Sequence, residues 1–312
     1  MNRLPRILLM ACLIVSPVSG QDPPHTAVSG RWDITVKAPD GGSFPSWLDV
    51  RLSGNRTYVG HFVGRVGSVR PISSVAVSGD TMRFSVPLQW EQGNADLQFE
   101  AVGADSMLTG WMTDGTGNRF SWTAVRAPFL IRATDPQWGR PVRLFNGVDL
   151  TGWQPLGEGS QWTAVGGILT NGKAGANLST REQYTDFKLH VEFRNPAGGN
   201  SGIYLRGRYE VQIEDSYGHE MSPHQLGGVY GFITPNENAA KRAGEWQSMD
   251  ITLVGRLVTV VLNGRQIICA QPIPGITGGA LDSNEGTPGP IFLQGDHGPV
   301  EYRNLVITPA RQ

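Results

Sequence analysis

The chain has 312 residues, 41 of them glycine, and a formal net charge of −1. That length is comfortable for two domains, and the near-zero charge gives no sign of a nucleic-acid partner or of attraction to an anionic membrane surface. Only 17% of the residues are charged, and strand-like alternation recurs where long helical patterns are missing. We therefore predict an all-β protein.

Residues 1–20 have the pattern of a secretory signal peptide. Two arginines precede a mostly apolar run at 7–18, and small residues follow it. The run is too short to span a bilayer, so we expect cleavage near Gln21 and an exported chain, periplasmic or extracellular, that does not span the membrane. The stretch ending at Cys12 loosely resembles a bacterial lipoprotein box, but few apolar residues precede it, which disfavours lipid anchoring.

Residues 28–128 contain several short apolar runs separated by turns such as Ser78-Gly79-Asp80. This spacing predicts an antiparallel meander that closes into a small β-barrel-like domain. Its scattered acidic residues form no catalytic pattern, so docking, binding and shielding all remain open as its role. Residues 127–141 contain an Asp-Pro step and no sustained alternation, which predicts a linker.

Residues 142–310 run strand after strand, and Asn263-Gly264 between apolar runs is a strong hairpin signal. Two stacked antiparallel sheets of this size form a jelly-roll sandwich. The long stretch 217–244 is rich in Gly, Pro and Asn, and long loops on a sheet scaffold usually carry function.

The stretch 199–216 in this second domain predicts a hairpin with two different faces. One face is apolar and carries Ile203, Leu205, Tyr209, Val211 and Ile213. The other face is polar and carries Asn200, Tyr204, Arg206, Glu210, Gln212 and Glu214. Such a dense row of hydrogen-bonding groups suits a polyhydroxylated ligand. The alternative is a solvated face on which Glu210 pairs with Arg206 or Arg194.

Six motifs follow one another in the second domain. They are LFNGVDLTGW (144–153), TDFKLHVEFR (185–194), GNSGIYLRGRYEVQIEDSYG (199–218), GEWQSMDI (244–251), LNG (262–264) and PIFLQGDHGPVEYRNLVI (290–307). Together they resemble the bacterial family described as 3-keto-disaccharide hydrolase, 3-keto-glucoside 1,2-lyase or 3-keto-2-hydroxyglucal hydratase. The resemblance covers about 142–310 and not the first domain. It implies a concanavalin-like jelly roll that acts on 3-keto sugars.

The chemistry that this resemblance implies begins with an acidic C2 hydrogen, because a ketone at C3 turns the C2 carbanion into an enolate. A base removes that hydrogen, the C1 aglycone leaves, and water adds to the unsaturated sugar. The site then needs a base, an electrophile at the 3-oxygen and an acid for the leaving group. A glycosidase-like carboxylate pair would be a different route to the same hydrolysis.

Two residues are the candidate catalytic groups. Glu210 lies in the middle of the polar hairpin face, and His297 lies in the turn motif QGDHG, where a near-neutral pKa suits proton transfer. We expect the substrate to be bound by Glu192, Tyr204, Arg206, Gln212, Trp246 and Gln294. His190, His219 and His224 are competing bases. No metal-binding motif is present, and a divalent metal ion held by scattered Glu, Asp and His remains open.

The sequence therefore predicts an enzyme that cleaves 3-keto-glycosides by C2-proton abstraction, through elimination or net hydrolysis. The alternatives are a non-catalytic carbohydrate-binding module of an exported protein, or a surface adhesion protein that interacts through its first domain. Titratable groups favour the enzyme. Convergence of Glu210 and His297 in one concave pocket would separate these hypotheses.

Overall fold

The computed structural model describes residues 27–104 and 106–311. The predicted signal peptide and Cys12 lie outside the described residues. Within those ranges the regular secondary structure consists of β-strands, which confirms the all-β prediction. No helix there is long and apolar enough to cross a membrane.

Eight antiparallel strands form a closed barrel in sequence order. They are β1 (Gly30–Lys37), β2 (Ser43–Ser53), β3 (Thr57–Val63), β4 (Arg70–Ser78), β5 (Thr81–Val86), β6 (Leu97–Ala104), β7 (Met107–Thr113) and β8 (Arg119–Arg126). Trp32, Ile34 and Val36 of β1 are buried in its interior, because alternate side chains of a strand point to the same face. The prediction of a small antiparallel barrel is confirmed.

The following strands build two stacked sheets. They are β9 (Val142–Arg143), β10 (Trp153–Leu156), β11 (Trp162–Val165), β12 (Ile168–Asn171), β13 (Asn177–Thr180), β14 (Phe187–Arg194) and β15 (Asn200–Leu205). The chain continues with β16 (Tyr209–Glu214), β17 (Gln247–Val254), β18 (Leu257–Leu262), β19 (Arg265–Pro272), β20 (Phe292–Leu293) and β21 (Val300–Pro309). One sheet has the order β10-β13-β20-β15-β16, and the other has the order β11-β12-β21-β14-β17-β18-β19 with β9 beside β21. This arrangement agrees with the predicted jelly-roll sandwich.

The apolar faces of the two sheets meet in one core. Ile203, Val211 and Ile213 of the hairpin β15–β16 lie in that core, as does Val191 of β14 in the other sheet. Burial of these aliphatic side chains supplies the main driving force for stacking the sheets. Consequently the even-numbered residues of the hairpin face away from the core.

The barrel packs against the sandwich through polar as well as apolar contacts. Trp47 of β2 belongs to the sandwich core, and the imidazole Nε2 of His224 lies 2.8 Å from Ser68 Oγ of the barrel. The buried Glu285 carboxylate is paired with Arg256. Burial, reinforced by the nearby Glu285, raises the pKa of Asp33 in the barrel to about 9. The two halves therefore share a closely packed interface.

Candidate active site

A cavity of about 430 Å³ lies where the outer face of the five-stranded sheet meets the barrel. Its floor comes from the hairpin β15–β16, with Tyr204, Glu210 and Gln212, and one side comes from the loop after β20, with Gln294 and His297. The structure thus brings both candidate catalytic residues and three of the predicted binding residues into one cavity. These residues are distant in sequence, and the sheet order unites them because β20 pairs with β15.

The polar face of the hairpin is buried rather than solvated. Tyr204 and Glu210 are direct neighbours in the β15–β16 register, and Glu210 is only 4% exposed. Among its described contacts Glu210 makes no ion pair with Arg206 or Arg194, so the alternative of a solvated surface ion pair is wrong. A carboxyl that loses water without gaining a cation favours its protonated form.

Burial raises the pKa of Glu210 to about 8, although the Tyr204 hydrogen bond and the His297 charge partly oppose the effect. The Tyr204 hydroxyl lies 2.9 Å from Glu210 Oε2 and 2.8 Å from the Gly278 carbonyl oxygen. A phenol has one proton to donate, and the carbonyl can only accept. The Tyr204 hydroxyl therefore donates to Glu210 Oε2 while that carboxyl is ionised. When Glu210 is protonated it can donate to Tyr204 instead, and Tyr204 then donates to the Gly278 carbonyl, so that every group in this chain has a partner.

His297 approaches the same cavity from the loop between β20 and β21. Its Nδ1 lies 2.6 Å from Asp296 Oδ1, and this hydrogen bond, with the negative charges of Asp296 and Glu210, raises the pKa of His297 above 6.5. The imidazole is half exposed. His297 and Glu210 therefore influence each other electrostatically, each favouring the charged form of the other.

Two amide side chains leave acceptor atoms unused inside the cavity. The Oε1 atoms of Gln212 and Gln294 are buried and have no hydrogen-bond partner. Buried polar atoms are nearly always satisfied, and leaving one unpaired costs roughly 1–3 kcal/mol. Both side chains line the cavity, and a turn of either amide toward the cavity would let a ligand hydroxyl donate to its oxygen.

Two predicted binding residues lie on the other side of the sandwich. Glu192 belongs to β14, which pairs with β17 and β21 rather than with the hairpin. Its carboxylate accepts hydrogen bonds from Arg303 Nε at 2.6 Å and from Asn304 Nδ2 at 2.7 Å. The guanidinium groups of Arg194 and Arg303 lie over the Trp246 ring, 4.8 and 4.0 Å from its centroid. The prediction that Glu192 and Trp246 line the cavity is therefore wrong, because the strand order separates their sheet from the hairpin.

Arg206 is a second correction. The strand β15 ends at Leu205, and Arg206 takes a left-handed conformation with φ of 54°, so the alternation of faces stops there. The guanidinium is fully buried and donates to the Gly255 carbonyl at 2.7 Å and to the Tyr209 hydroxyl at 3.2 Å. Arg206 lies outside the lining of the cavity and fixes the turn instead.

Sequence reasoning missed the contribution of the barrel. Val66 and Gly67 from the β3–β4 loop and Trp90 from the β5–β6 loop line the mouth of the cavity. The sequence offered no signal for them, because turns on a barrel resemble one another. Asn200 and Tyr230 also line the cavity; Asn200 lies on the polar face of the hairpin, and Tyr230 comes from the long loop that the sequence marked as functional.

The competing histidines lie outside the cavity lining. His190 Nδ1 is 2.7 Å from Asp250 Oδ1 on the eight-stranded sheet, His224 contacts the barrel, and His219 Nδ1 lies 3.3 Å from Gln225 Oε1. A search of the described part of the chain finds no group of three or more His, Cys, Asp or Glu side chains placed to hold a metal ion.

A larger groove of about 810 Å³ runs along the linker, where Arg132, Asp135 and Asp186 are among its lining residues. Arg132 Nε pairs with Asp186 Oδ2 at 2.6 Å, and no buried atom without a partner was found among its lining residues. The smaller cavity, with its neutral carboxyl and unused acceptors, is the better candidate for an active site.

The cavity of this β-sandwich presents a buried acid and amide side chains with unpaired acceptors, which suit a ligand rich in hydroxyl groups. Residues 140–308, more than half of the chain, match the 3-keto-alpha-glucoside-1,2-lyase-like domain, so the chain belongs to that family. This membership confirms the resemblance seen in the sequence and makes the chain a carbohydrate-active enzyme.

Two solved structures from Parabacteroides distasonis, provisionally described as glycosyl hydrolases, are similar to this chain. The first is 30% identical, covers 54% of this chain and 82% of its own, and has a TM-score of 0.47. The second is 19% identical, covers 55% of this chain and 94% of its own, and has a TM-score of 0.48. The search of curated proteins gave no match.

Proposed function

We propose that this cavity cleaves 3-keto-glycosides by removing the C2 proton and eliminating the C1 aglycone, after which water adds to give the free 3-keto sugar. Family membership supports the substrate class. The observation that carries the proposal is the buried Glu210 carboxyl, with a pKa of about 8, in the same cavity as His297. A base whose pKa lies near the working pH is well matched to proton abstraction.

In this proposal the ionised Glu210 takes the C2 proton and the electron pair enters the enolate of the 3-ketone. The C1–O bond then breaks, and the departing oxygen receives a proton from the His297 imidazolium, which Asp296 keeps charged. Water next adds its oxygen to C1, its proton returns to His297, and Glu210 gives its proton back to C2. Both residues finish in their starting protonation states, and the net reaction is hydrolysis.

The other lining groups have roles that follow from their hydrogen-bonding capacity. The Asn200 amide and the Tyr230 hydroxyl can donate to the developing enolate oxygen, which is the kind of preorganised stabilisation that enolate chemistry needs. The unused Oε1 atoms of Gln212 and Gln294 accept from sugar hydroxyls. We further propose that the enzyme works after export, as the signal-like segment 1–20 suggests.

The test is turnover of a 3-keto-glucoside by the wild type, by Glu210→Gln and by His297→Ala. Loss of a general base or acid typically lowers the rate by ~10²–10⁴-fold. Glu192→Gln is the matched control, since it makes the same chemical change on the opposite sheet and should retain activity. Wild-type rates in folded Glu210→Gln and His297→Ala would show that the site is wrong.

Reaction in D2O separates the proposed route from direct displacement at C1. Elimination followed by hydration places solvent deuterium at C2 of the product, whereas a glycosidase-like displacement leaves C2–H untouched. An inert wild type that still binds sugar would favour the carbohydrate-binding module.

A further inference from the structure

The barrel presents an exposed aromatic side chain at the mouth of the cavity. Trp90 is 69% exposed, yet it lines the cavity together with Val66. An exposed indole beside a cavity offers a flat apolar face on which a ring of a bound ligand can stack. The family match begins at residue 140, so this aromatic lies in a part of the chain that the family domain does not include.

The loop that carries Trp90 is held in a fixed conformation. Glu91 Oε2 accepts hydrogen bonds from the backbone N–H groups of Gln89 at 3.0 Å and of Trp90 at 3.2 Å. The same carboxylate forms a two-point pair with Arg70, at 2.7 and 3.1 Å. The Gln89 Oε1 atom accepts from the Ser68 backbone N–H at 2.9 Å, which ties this loop to the β3–β4 loop. The backbone that carries the indole is therefore preorganised, which lowers the ordering cost of binding.

A continuous wall joins Trp90 to the catalytic carboxyl. Gly67 has φ of +85°, and a Cβ there would lie 2.7 Å from Trp90 Cδ1. A Cβ at Gly278 would lie 2.2 Å from the Gly67 carbonyl oxygen, and the Gly278 carbonyl accepts the Tyr204 hydroxyl beside Glu210. The wall thus runs from the buried acid to the exposed indole.

We infer that the barrel forms the leaving-group subsite, where the face of Trp90 stacks on a ring-bearing aglycone. This inference rests on the proposed function, because it assumes that the sugar to be cleaved lies over Glu210. The chemistry fits an aglycone with a flat apolar face, which either an aryl group or a second pyranose offers. Val66 extends the apolar surface beside the indole, and a small alkyl aglycone would not reach it.

The experiment compares kcat and KM for the 3-keto forms of a methyl glucoside, a phenyl glucoside and a glucosyl-glucose. The variants are Trp90→Ala, Trp90→Phe and the matched control Trp111→Ala. Trp111 is 45% exposed on the same barrel but lies outside the cavity lining. Trp90→Ala should lower kcat/KM for a ring-bearing substrate by ~10-fold, mainly through KM, as expected for an aromatic contact. Trp90→Phe should restore much of the loss.

The methyl glucoside should change by less than about twofold, as should every substrate with Trp111→Ala. A loss confined to the phenyl or to the disaccharide substrate supports the subsite and identifies its ring. Equal losses on all three substrates, or none, would overturn it while leaving the proposed function intact. A wild type that is inert on all three would overturn both.

Discussion

Replacing Glu210 with Gln should remove activity and, near neutral pH, make the protein more stable. The buried carboxyl has a pKa of about 8, compared with 4.5 for a free glutamic acid. Gln mimics the protonated carboxyl, since its amide can also donate to Tyr204. The variant therefore keeps the hydrogen-bond chain to Gly278 and loses only the group that titrates.

The size of the difference in free energy of unfolding follows from the linkage between proton binding and folding. Because the folded pKa of Glu210 is raised, folded protein binds the proton more tightly than unfolded protein, so this stabilisation is full below about pH 4.5 and is lost as the pH rises through about 8. Each pH unit within that window removes ~1.4 kcal/mol. Between pH 4.5 and pH 7 the wild type should lose ~3 kcal/mol relative to Glu210→Gln.

Urea unfolding of both proteins from about pH 5 to about pH 8 measures this difference, and taking the difference cancels the titration of distant groups such as Asp33. Glu192→Gln is the control, because the hydrogen bonds from Asn304 and Arg303 outweigh partial burial and lower the pKa of Glu192. Its carboxylate is ionised in folded and unfolded protein above about pH 5, so the free energies of unfolding of this variant and of the wild type should stay parallel from about pH 5 to about pH 8. If the free energies of unfolding of wild type and Glu210→Gln stay parallel across this range, Glu210 is not a buried neutral acid and the reasoning fails.

The remaining predictions concern pH, the domain interface and the N-terminus. Since the working state needs Glu210 ionised and His297 charged, activity should follow a bell-shaped pH curve with its optimum between the raised pKa of His297 and about 8; a rate that does not depend on pH in this range would contradict the pairing. Arg256→Leu should cost ~3–5 kcal/mol in denaturant unfolding, because it strands the buried Glu285 carboxylate; a loss below about 1 kcal/mol would refute that. Mass spectrometry of the exported protein should find an N-terminus near Gln21, and an N-terminal acylated Cys12 would overturn the prediction.

The alternation of apolar and polar residues predicted the features that depend only on residues close together in the sequence. The alternation from Ile203 to Ile213 predicts both strands of the hairpin and the face that enters the core, because strand side chains alternate whatever the strand packs against. It also identifies Glu210 and Gln212 as sharing the other face. Alternation cannot say what covers that face, so burial of Glu210 could not be derived from the sequence.

Most of the predictions that failed depended on contacts between residues far apart in the sequence. Glu192 has the same alternating context as Glu210, but β14 joins the opposite sheet, and strand order in a sandwich depends on pairings across the whole domain. The contribution of Trp90 depends on how two domains dock, which no local pattern reports. Arg206 failed for a local reason, since a single left-handed residue ends the alternation.

The wall of glycines has a consequence for how the enzyme can diversify. The groups proposed for bond breaking sit on the sandwich, while the rim that Trp90 and Gly67 build belongs to a separate chain segment that meets it backbone to backbone. Exchanging the two barrel loops would therefore change which sugar or aryl aglycone the enzyme accepts. The Glu210 carboxyl and its hydrogen bond to Tyr204 would stay unchanged. A side chain at Gly278 would instead clash with the Gly67 backbone and push the two halves apart, whereas one at Gly67 would displace Gln89 and Trp90 within the barrel. Loop grafting, with the glycines held constant, is the natural way to engineer a new preference into this scaffold.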